Sequence, residues 1–460
     1  MGKRMGRSGQ VELFERSKKP VIPIEPNHRL VQLTDQLDWI ELEQIVEEIR
    51  RGKLKNAAGR PPHLRALTGA VLLMATRRMT YRDAEDQIRH YAPARYLCGL
   101  TETEWTPDFT TIQDFTELMG EDGLRRINQF AVGVAVAEKL ADPRVMVADT
   151  TAQEAAIAWP NEMGLMAAFM TSMALASKRA GKALKKFGTK AAGKFKAAKE
   201  KVRRYRLFTK TKQARLALLK DMASLVSSVQ NELAPALKNA AKERLHKYSL
   251  VARAKAQHLQ DTMTKLLPQI RYWMRTGRVA VDKIINLHMP ELYSIVRGKA
   301  GEGVEFGLTW GFRRLAGGYL LANVARDRRE LHDSRFAVQA VREHIALFGK
   351  PPRGYAYDRG GYSMDNVKTL KDMGVKEVGL APQGQAQWSV YGKVKDKLVR
   401  ERAQVEGGIG AVKSGRYGFN RPAARSVKMM GACGQRAVLG FNLNKLVREL
   451  AGRQKMVLAG

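Results

Sequence analysis

Gly354-Tyr355-Ala356-Tyr357-Asp358-Arg359-Gly360-Gly361-Tyr362 is an apolar run that stops at a carboxylate and turns on two glycines. Val145-Met146-Val147-Ala148-Asp149 is a second apolar run ending in an aspartate, 209 positions earlier. Short apolar runs bounded by turn-forming residues read as buried strands. The spacing predicts a strand over 143–149, started by Pro143, and another over 353–358, each closed by its aspartate. The segment 304–325 reads as an antiparallel hairpin of strands 304–312 and 317–325, with 313–316 and the Gly317-Gly318 pair near its turn. Helices are expected over 334–348, capped by Asp333, over 363–373, capped by Ser363, and over 396–413. A short strand is expected over 376–380. The segment 434–450 reads as a strand or short helix followed by a longer helix. The order strand, strand, strand, helix, strand, helix, strand, helix is an α/β pattern in which the second and third strands pair antiparallel.

The two aspartates have a third acidic candidate in Arg402-Ala403-Gln404-Val405-Glu406, on the helix expected over 396–413. Two carboxylates at strand ends and one on a helix can converge on one point and hold a divalent cation, since Mg²⁺ prefers hard oxygen ligands. Crowded without a cation, they would repel and raise one another's pKa values. In a chain of 460 residues with 80 Lys and Arg against 45 Asp and Glu, a formal charge of +35, such an acidic point needs explaining.

That charge favours a polyanionic partner, because each cation placed on a phosphate releases counterions. The length allows two to four domains and a sizeable core. Cys98 and Cys433 are the two cysteines, with no Cys-x-x-Cys or Cys/His cluster, which disfavours a disulfide framework or zinc module and fits a reducing, cytosolic setting. Met1-Gly2-Lys3-Arg4-Met5-Gly6-Arg7 is basic, but no apolar region follows as in a signal peptide. The apolar stretches near 64–79 and 164–176 are too short or interrupted to span a bilayer. The absence of a Walker A pattern disfavours a P-loop ATPase.

Residues 1–28 hold Pro20, Pro23 and Pro26 among basic residues and read as a mobile arm. Residues 29–141 carry a helical pattern. Leu33, Leu37, Ile40, Leu42 and Ile45 lead to a helix stop at 50–53, and Gly59-Arg60-Pro61-Pro62 forms a loop before Leu64, Leu67, Ala70, Leu72 and Leu73. Thr80 reads as an N-cap, and 106–111 precede a helix holding Ile112, Phe115 and Leu118. Short helices joined by tight turns suit a helix-turn-helix-like DNA reader or a plain bundle.

Residues 164–299 are rich in Ala, Lys, Leu and Gln, which favour helix. Leu218, Met222, Leu225, Val229, Leu233 and Leu237 recur at three- and four-residue steps, as do Leu250, Ala254, Leu259, Met263, Leu266, Ile270 and Met274. This predicts long helices packed as an antiparallel pair or small bundle, with Pro235 and Pro268 kinking or ending them. The first part is strongly basic. Lys185, Lys186, Arg203 and Arg204 belong to a run of thirteen cations, from Lys178 to Arg206, that faces only Glu200. Such a run is a solvated face or a contact with DNA backbone.

With these residues in hand, the chain resembles the DDE transposases of bacterial insertion sequences, whose catalytic domain is RNase H-like. Arg402, Glu406 and Lys413 fit the arginine, glutamate and lysine spacing of that group's C-terminal signature, Asp358 with Gly360-Gly361-Tyr362-Ser363 is similar to its aspartate followed by Gly-Tyr, and Asp149-Thr150-Thr151 to its first aspartate with small or hydroxyl residues. The resemblance covers most of 30–425. Three features depart from it: Val399 stands where many relatives carry Tyr, the Asp-to-Gly-Tyr spacing has one extra residue, and the aspartates are 209 positions apart.

The resemblance implies an RNase H-like mixed sheet flanked by helices over 142–163 and 300–425, interrupted by the helical insertion 164–299. A helical DNA-binding domain would precede it over 29–141 and a C-terminal segment would follow over 426–460. It implies a catalytic and metal-binding triad of Asp149, Asp358 and Glu406 with two Mg²⁺ or Mn²⁺ ions, Asp149 bridging both and the others each holding one. Arg402, one helical turn before Glu406, and Lys413, about two turns after it, would bind DNA with Arg416. Double-stranded DNA, as element ends and target, and at least a second protomer would be the partners, in a bacterial cytoplasm at the nucleoid. The rivals are a non-catalytic basic DNA-binding protein and an RNase H-like nuclease without strand transfer. Asp327 and Asp333 read as turn or cap residues, Tyr362 as packing, Trp310 as a strand residue with base stacking as its rival, and His332 as structural.

Overall fold

The computed structural model describes residues 24–54, 62–101, 105–296, 303–325, 331–382, 384 and 386–459. The chain divides into two compact units, one of residues 1–142 and 436–460 and one of residues 143–435. Residues 1–23 of the basic arm, residues 59–61 of the expected loop and Asp327 lie outside the described residues.

In the first unit, side chains with a free acceptor start the helices, because the first turn leaves N–H groups without intrahelical partners. His28 caps α1 (Arg29–Asp35) and Asp38 caps α2 (Trp39–Lys53) by accepting from Ile40 N and Glu41 N. His63 caps α3 (Leu64–Thr76). Thr80 and Asp83 form a capping box on α4 (Tyr81–His90), and Pro93 lies in the first turn of α5 (Ala92–Leu97). Asp108 caps α6 (Phe109–Ala137), so Phe109-Thr110-Thr111 belong to that helix rather than preceding it. Gly120 (φ 59°) kinks α6 at a conformation that glycine adopts without steric cost. Helix α3 is buried on all sides, and Leu42, Val46, Ile49, Ile112, Leu124 and Ile127 complete the core beside it.

The second unit is built on a mixed six-stranded sheet. Its strands are β1 (Asp142–Glu154), β2 (Tyr293–Val296), β3 (Val304–Ala316), β4 (Leu320–Val324), β5 (Gly354–Tyr357) and β6 (Glu377–Leu380), in the order β2-β3-β1-β5-β6, with β4 also paired to β3. β1, β5 and β6 run parallel, while β2 and β4 are antiparallel to β3. Helices α12 (Asp333–Phe348), α13 (Met364–Asp372) and α14 (Gly392–Lys413) flank it.

Several expectations are corrected. β1 does not end at Asp149 but runs on to Glu154. Residues 313–316 are not a turn but the end of β3, and the reversal falls at Gly317 and Gly318, whose φ values are 93° and 90°. β2 was not foreseen. Helix α14 starts four residues earlier than expected. Residues Val427–Ala459 form one helix, α15, where a strand or short helix was the alternative; its residues to Gln435 fall in the second unit and the rest in the first.

Between β1 and β2 lie five helices: α7 (Glu162–Ser177), α8 (Lys182–Lys190), α9 (Ala192–Leu207), α10 (Lys212–Ala241) and α11 (Lys247–Thr276). They enclose one apolar core of Phe169, Met173, Phe187, Met222, Val226, Leu259 and Met263 among others. Helices α10 and α11 continue through Pro235 and Pro268, so neither proline ends its helix. A proline forfeits one backbone bond at a cost of ~3 kcal/mol. Here Leu233 and Leu237 on either side of Pro235, and Leu266, Leu267 and Ile270 around Pro268, remain buried in the shared core and offset that cost.

Candidate active site

Backbone register determines the relation of the two aspartates. Val145, Met146 and Val147 of β1 lie beside Gly354, Tyr355 and Ala356 of β5, each partner 209 positions downstream. Asp149 and Asp358 are separated by the same 209 positions, so the ladder's register, carried two residues further, sets them side by side. Side chains alternate along a strand. Val145, Val147, Asp149, Thr151 and Gln153 therefore share one face of the sheet with Gly354, Ala356 and Asp358. Asp358 itself caps the 3₁₀ turn Arg359–Gly361, accepting from Gly360 N.

Helix α14 covers that face. Leu398, Val405, Ile409 and Val412 are its buried stripe. A Cβ on Gly379 would come 2.7 Å from a Leu398 methyl, so the glycine lets helix and sheet approach closely. The buried Arg314 of β3 binds Glu401 and Gln404 and fixes the helix in rotation. That rotation brings Arg402 to 3.8 Å from Asp358 and the Lys413 amine to 3.4 Å from the Thr151 hydroxyl and 3.9 Å from Glu305. Glu406 is exposed on the same helix, and Arg416 is exposed just beyond it, its guanidinium 5.5 Å from the Tyr417 ring centre.

Burial pushes the Asp149 carboxyl up to about 6, and the negative charges of Asp358, Asp333 and Glu406 push the same way, while the hydrogen bond from Thr150 N opposes them. Asp149 thus senses both other members of the expected triad, and a fourth carboxylate. Among the described residues, however, no three His, Cys, Asp or Glu side chains are drawn together closely enough to hold a metal ion. The two observations address different scales: electrostatic influence extends several ångströms further than coordination distance. The oxygen donors of three carboxylates would suit Mg²⁺ or Mn²⁺ chemically.

Asp333 was expected to cap a helix. Instead His332 holds the cap position of α12, and Asp333 is the first helical residue. Its Oδ1 accepts from the Thr150 hydroxyl at 2.8 Å and the Tyr357 phenol at 3.1 Å. His332 accordingly has a local role, with its Nδ1 3.0 Å from the Ser334 hydroxyl. Trp310 is fully buried, donates to Gln153 Oε1 at 3.0 Å and packs on Phe419, which leaves no face for a base. The Tyr362 hydroxyl lies 3.6 Å from the Met364 sulfur.

Sequence reading missed Gln153 and Arg314, and it weighed Asp333 as a competing carboxylate but read it as a turn or cap residue. Gln153 is buried, and its amide donates to Phe419 O and Met430 O. Arg314 was hidden because Arg313-Arg314 stands just before the Gly317-Gly318 pair and reads as part of a turn. Asp333 carried no signal beyond its place ahead of a helix.

The insertion carries the remaining cations singled out. Lys185, Lys186, Arg203 and Arg204 are all exposed. Of the basic run, Lys194 is 2.7 Å from Glu232 and Lys201 is 3.1 Å from Asp221, both on α10, and Arg203 is 4.0 Å from Glu200 on its own helix, so part of the charge is neutralised.

Residues 20–118 match the family described as Transposase domain (DUF772). That stretch is similar to a transposase domain. No curated protein and no solved structure matches the chain. Among the described residues, no helix is long and apolar enough to cross a membrane.

Proposed function

We propose that the protein is a DDE transposase, which cleaves DNA at the ends of an insertion sequence and joins the freed 3′-OH ends to target DNA. The observation that carries this reading is the common offset of 209 between β1 and β5, which aligns Asp149 with Asp358 under a helix bearing Arg402, Glu406 and Lys413. The sheet order, with β1 flanked by the antiparallel β2–β3–β4 group on one side and parallel β5 and β6 on the other, supports an RNase H-like catalytic domain. The similarity to a transposase domain and the +35 charge support DNA as the substrate.

Asp149, Asp358 and Glu406 would hold a pair of Mg²⁺ or Mn²⁺ ions. Bound there, the pair would supply the Lewis acidity that activates a water or 3′-hydroxyl and stabilises the leaving oxygen. The chain's own residues prepare this. Burial and crowding make the ionised Asp149 costly alone, so the site favours a cation that neutralises it. Arg402 and Lys413, at the two ends of the α14 segment that carries Glu406, would engage phosphates flanking the scissile one, Arg402 in a two-pronged manner. Arg416 would extend this contact. Lys185, Lys186, Arg203 and Arg204 would bind DNA backbone further along the duplex. Two ends must meet before joining, so a dimer or larger assembly, in a bacterial cytoplasm at the nucleoid, belongs to the proposal.

One observation favours a non-catalytic DNA-binding protein: the absence, among the described residues, of a metal-ready cluster. A plasmid bearing the gene with its native flanking DNA separates the readings. Mg²⁺-dependent cleavage and joining of 3′-OH ends to a second DNA, both lost in Asp149→Asn and Glu406→Gln with DNA binding kept, is expected. Cleavage that survives these substitutions would falsify the triad. Cleavage without joining would leave a nuclease.

A further inference from the structure

The acidic residue that no motif assigns, Asp333, is bonded to the neighbours of both candidate catalytic aspartates. Its Oδ1 accepts from Thr150, which directly follows Asp149, and from Tyr357, which directly precedes Asp358. Its Oδ2 lies against Gly360 so tightly that a Cβ there would come within 2.5 Å, so only glycine permits the approach. Gly360 N is also the donor that holds the Asp358 carboxylate. Strand alternation puts Thr150 and Tyr357 on the sheet face opposite Asp149 and Asp358. One carboxylate at the start of α12 thereby ties β1 to β5 from behind at the position where both aspartates project forward. Phe336, one helical turn on, packs edge-on against Tyr357 and fixes the helix on this spot.

We infer that Asp333 is a positioning residue of the active site, a clasp that sets the distance between Asp149 and Asp358 through the Thr150 hydroxyl, the Tyr357 phenol and the Gly360 backbone. The inference rests on the proposed catalytic reading. Two aspartates on adjacent strands whose ends can splay would hold a cation pair weakly, because small errors in ligand placement matter for an ion that demands near-octahedral geometry. The clasp acts through hydrogen bonds to the neighbours of the ligands, as outer partners do at metal centres, where their loss costs about 10–100-fold in affinity or activity.

The test uses the full chain and two readouts. Mn²⁺ binding is measured by calorimetry without DNA, and Mg²⁺-dependent cleavage is measured as kcat and KM for DNA. Asp333→Ala is expected to weaken Mn²⁺ binding about 10–100-fold and to lower kcat by a similar factor with KM for DNA unchanged. Asp333→Asn keeps an oxygen acceptor for both hydroxyls and is expected to stay within about threefold of the parent in both readouts. Thr150→Val and Tyr357→Phe each remove one donor while leaving every carboxylate in place, and should show part of the Asp333→Ala effect on Mn²⁺ binding even if that variant folds poorly. Asp149→Asn is the reference. If it abolishes cleavage while Asp333→Ala, Thr150→Val and Tyr357→Phe all bind Mn²⁺ and turn over as the parent does, the clasp is overturned and the catalytic reading stands. If Asp149→Asn itself cleaves normally, the catalytic reading fails.

Discussion

The sheet and the helical insertion of the second unit treat charge in opposite ways. In the sheet, Arg313 and Arg314 are buried and each is answered by a particular partner: Arg313 by Glu343 at 3.2 Å, Arg314 by Glu401 and Gln404. The exception is Asp149, whose surroundings hold three further carboxylates and make its ionisation costly. In the insertion, cations lie on exposed helix faces and only some have partners. A charge held where it costs free energy is a candidate for chemistry, whereas a charge facing water is a candidate for an electrostatic surface. The comparison predicts large, specific effects in the sheet and small, additive ones in the insertion.

Asp149→Asn is expected to have the largest effect. It should reduce Mg²⁺-dependent cleavage by at least about 10³-fold, because an amide would not replace a carboxylate proposed to hold the cations. Gel quantification of plasmid cleavage, beside a filter assay showing unchanged DNA binding, checks it. Residual cleavage within tenfold of the parent would erase the distinction between the two regions.

Next comes the buried ion pair that orients α14. Glu401→Ala leaves the Arg314 guanidinium buried without its carboxylate, and removing one partner of such a pair costs about 3–5 kcal/mol. Urea unfolding should show the loss. The double variant Arg314→Met, Glu401→Leu should recover most of it, since apolar residues of similar volume replace such pairs at little cost. A single-variant loss under about 1 kcal/mol would place this pair with the exposed ones.

The same Asp149→Asn variant sharpens the comparison from the side of stability. The folded-state carboxyl titrates at about 6, above its unfolded value, so its contribution is fully present below pH ~4 and is lost as pH rises through 6. Asparagine does not ionise. In chelator the variant should match the parent near pH 4 and exceed it above pH ~7, by up to about 3 kcal/mol for a shift of roughly two units. Melting curves across this range decide it. A parent that gains stability relative to the variant as pH rises would reverse the sign and remove the crowding.

How far the sequence disclosed this arrangement depends on what each residue had to say locally. Ser363, Thr80 and the apolar run 145–148 announced their elements because capping and strand burial are local effects. The offset joining Asp149 to Asp358 was countable, but the pairing of β1 with β5 that gives it meaning was not. The end of β1 was misplaced because Thr150-Thr151-Ala152-Gln153 reads as polar, whereas Gln153 is buried by acceptors and donors from Trp310, Phe419 and Met430, all more than 150 positions away. Arg313 and Arg314 looked like a turn for the same reason: Glu343 and Glu401, which make their burial tolerable, are supplied by other helices. Asp333 resembled a cap because its hydroxyl partners belong to two separate strands. In each case tertiary partners overrode a sound local rule.

The smallest effect is expected where the sequence was loudest. Changing Lys185, Lys186, Arg203 and Arg204 together to alanine removes four exposed cations. None of them supports the core of Leu184, Phe187, Phe195 and Ala198 that runs along the other side of α8 and α9, so the melting temperature should hardly move. If all four meet phosphates, the slope of log affinity against log salt should fall by up to about 3.6, at roughly 0.9 per contact. At physiological salt the affinity loss should be about tenfold, near 1.4 kcal/mol, because phosphate contacts are weak singly and screened. Cleavage of DNA already bound should keep its rate, since these residues lie on the insertion and not on the strands or helix that carry Asp149, Asp358 and Glu406. Titration of end DNA at several salt concentrations measures the slope directly. An unchanged slope would make the basic run a solvated face, and a lost cleavage rate at saturating DNA would show that the insertion takes part in chemistry that the comparison assigns to the sheet alone.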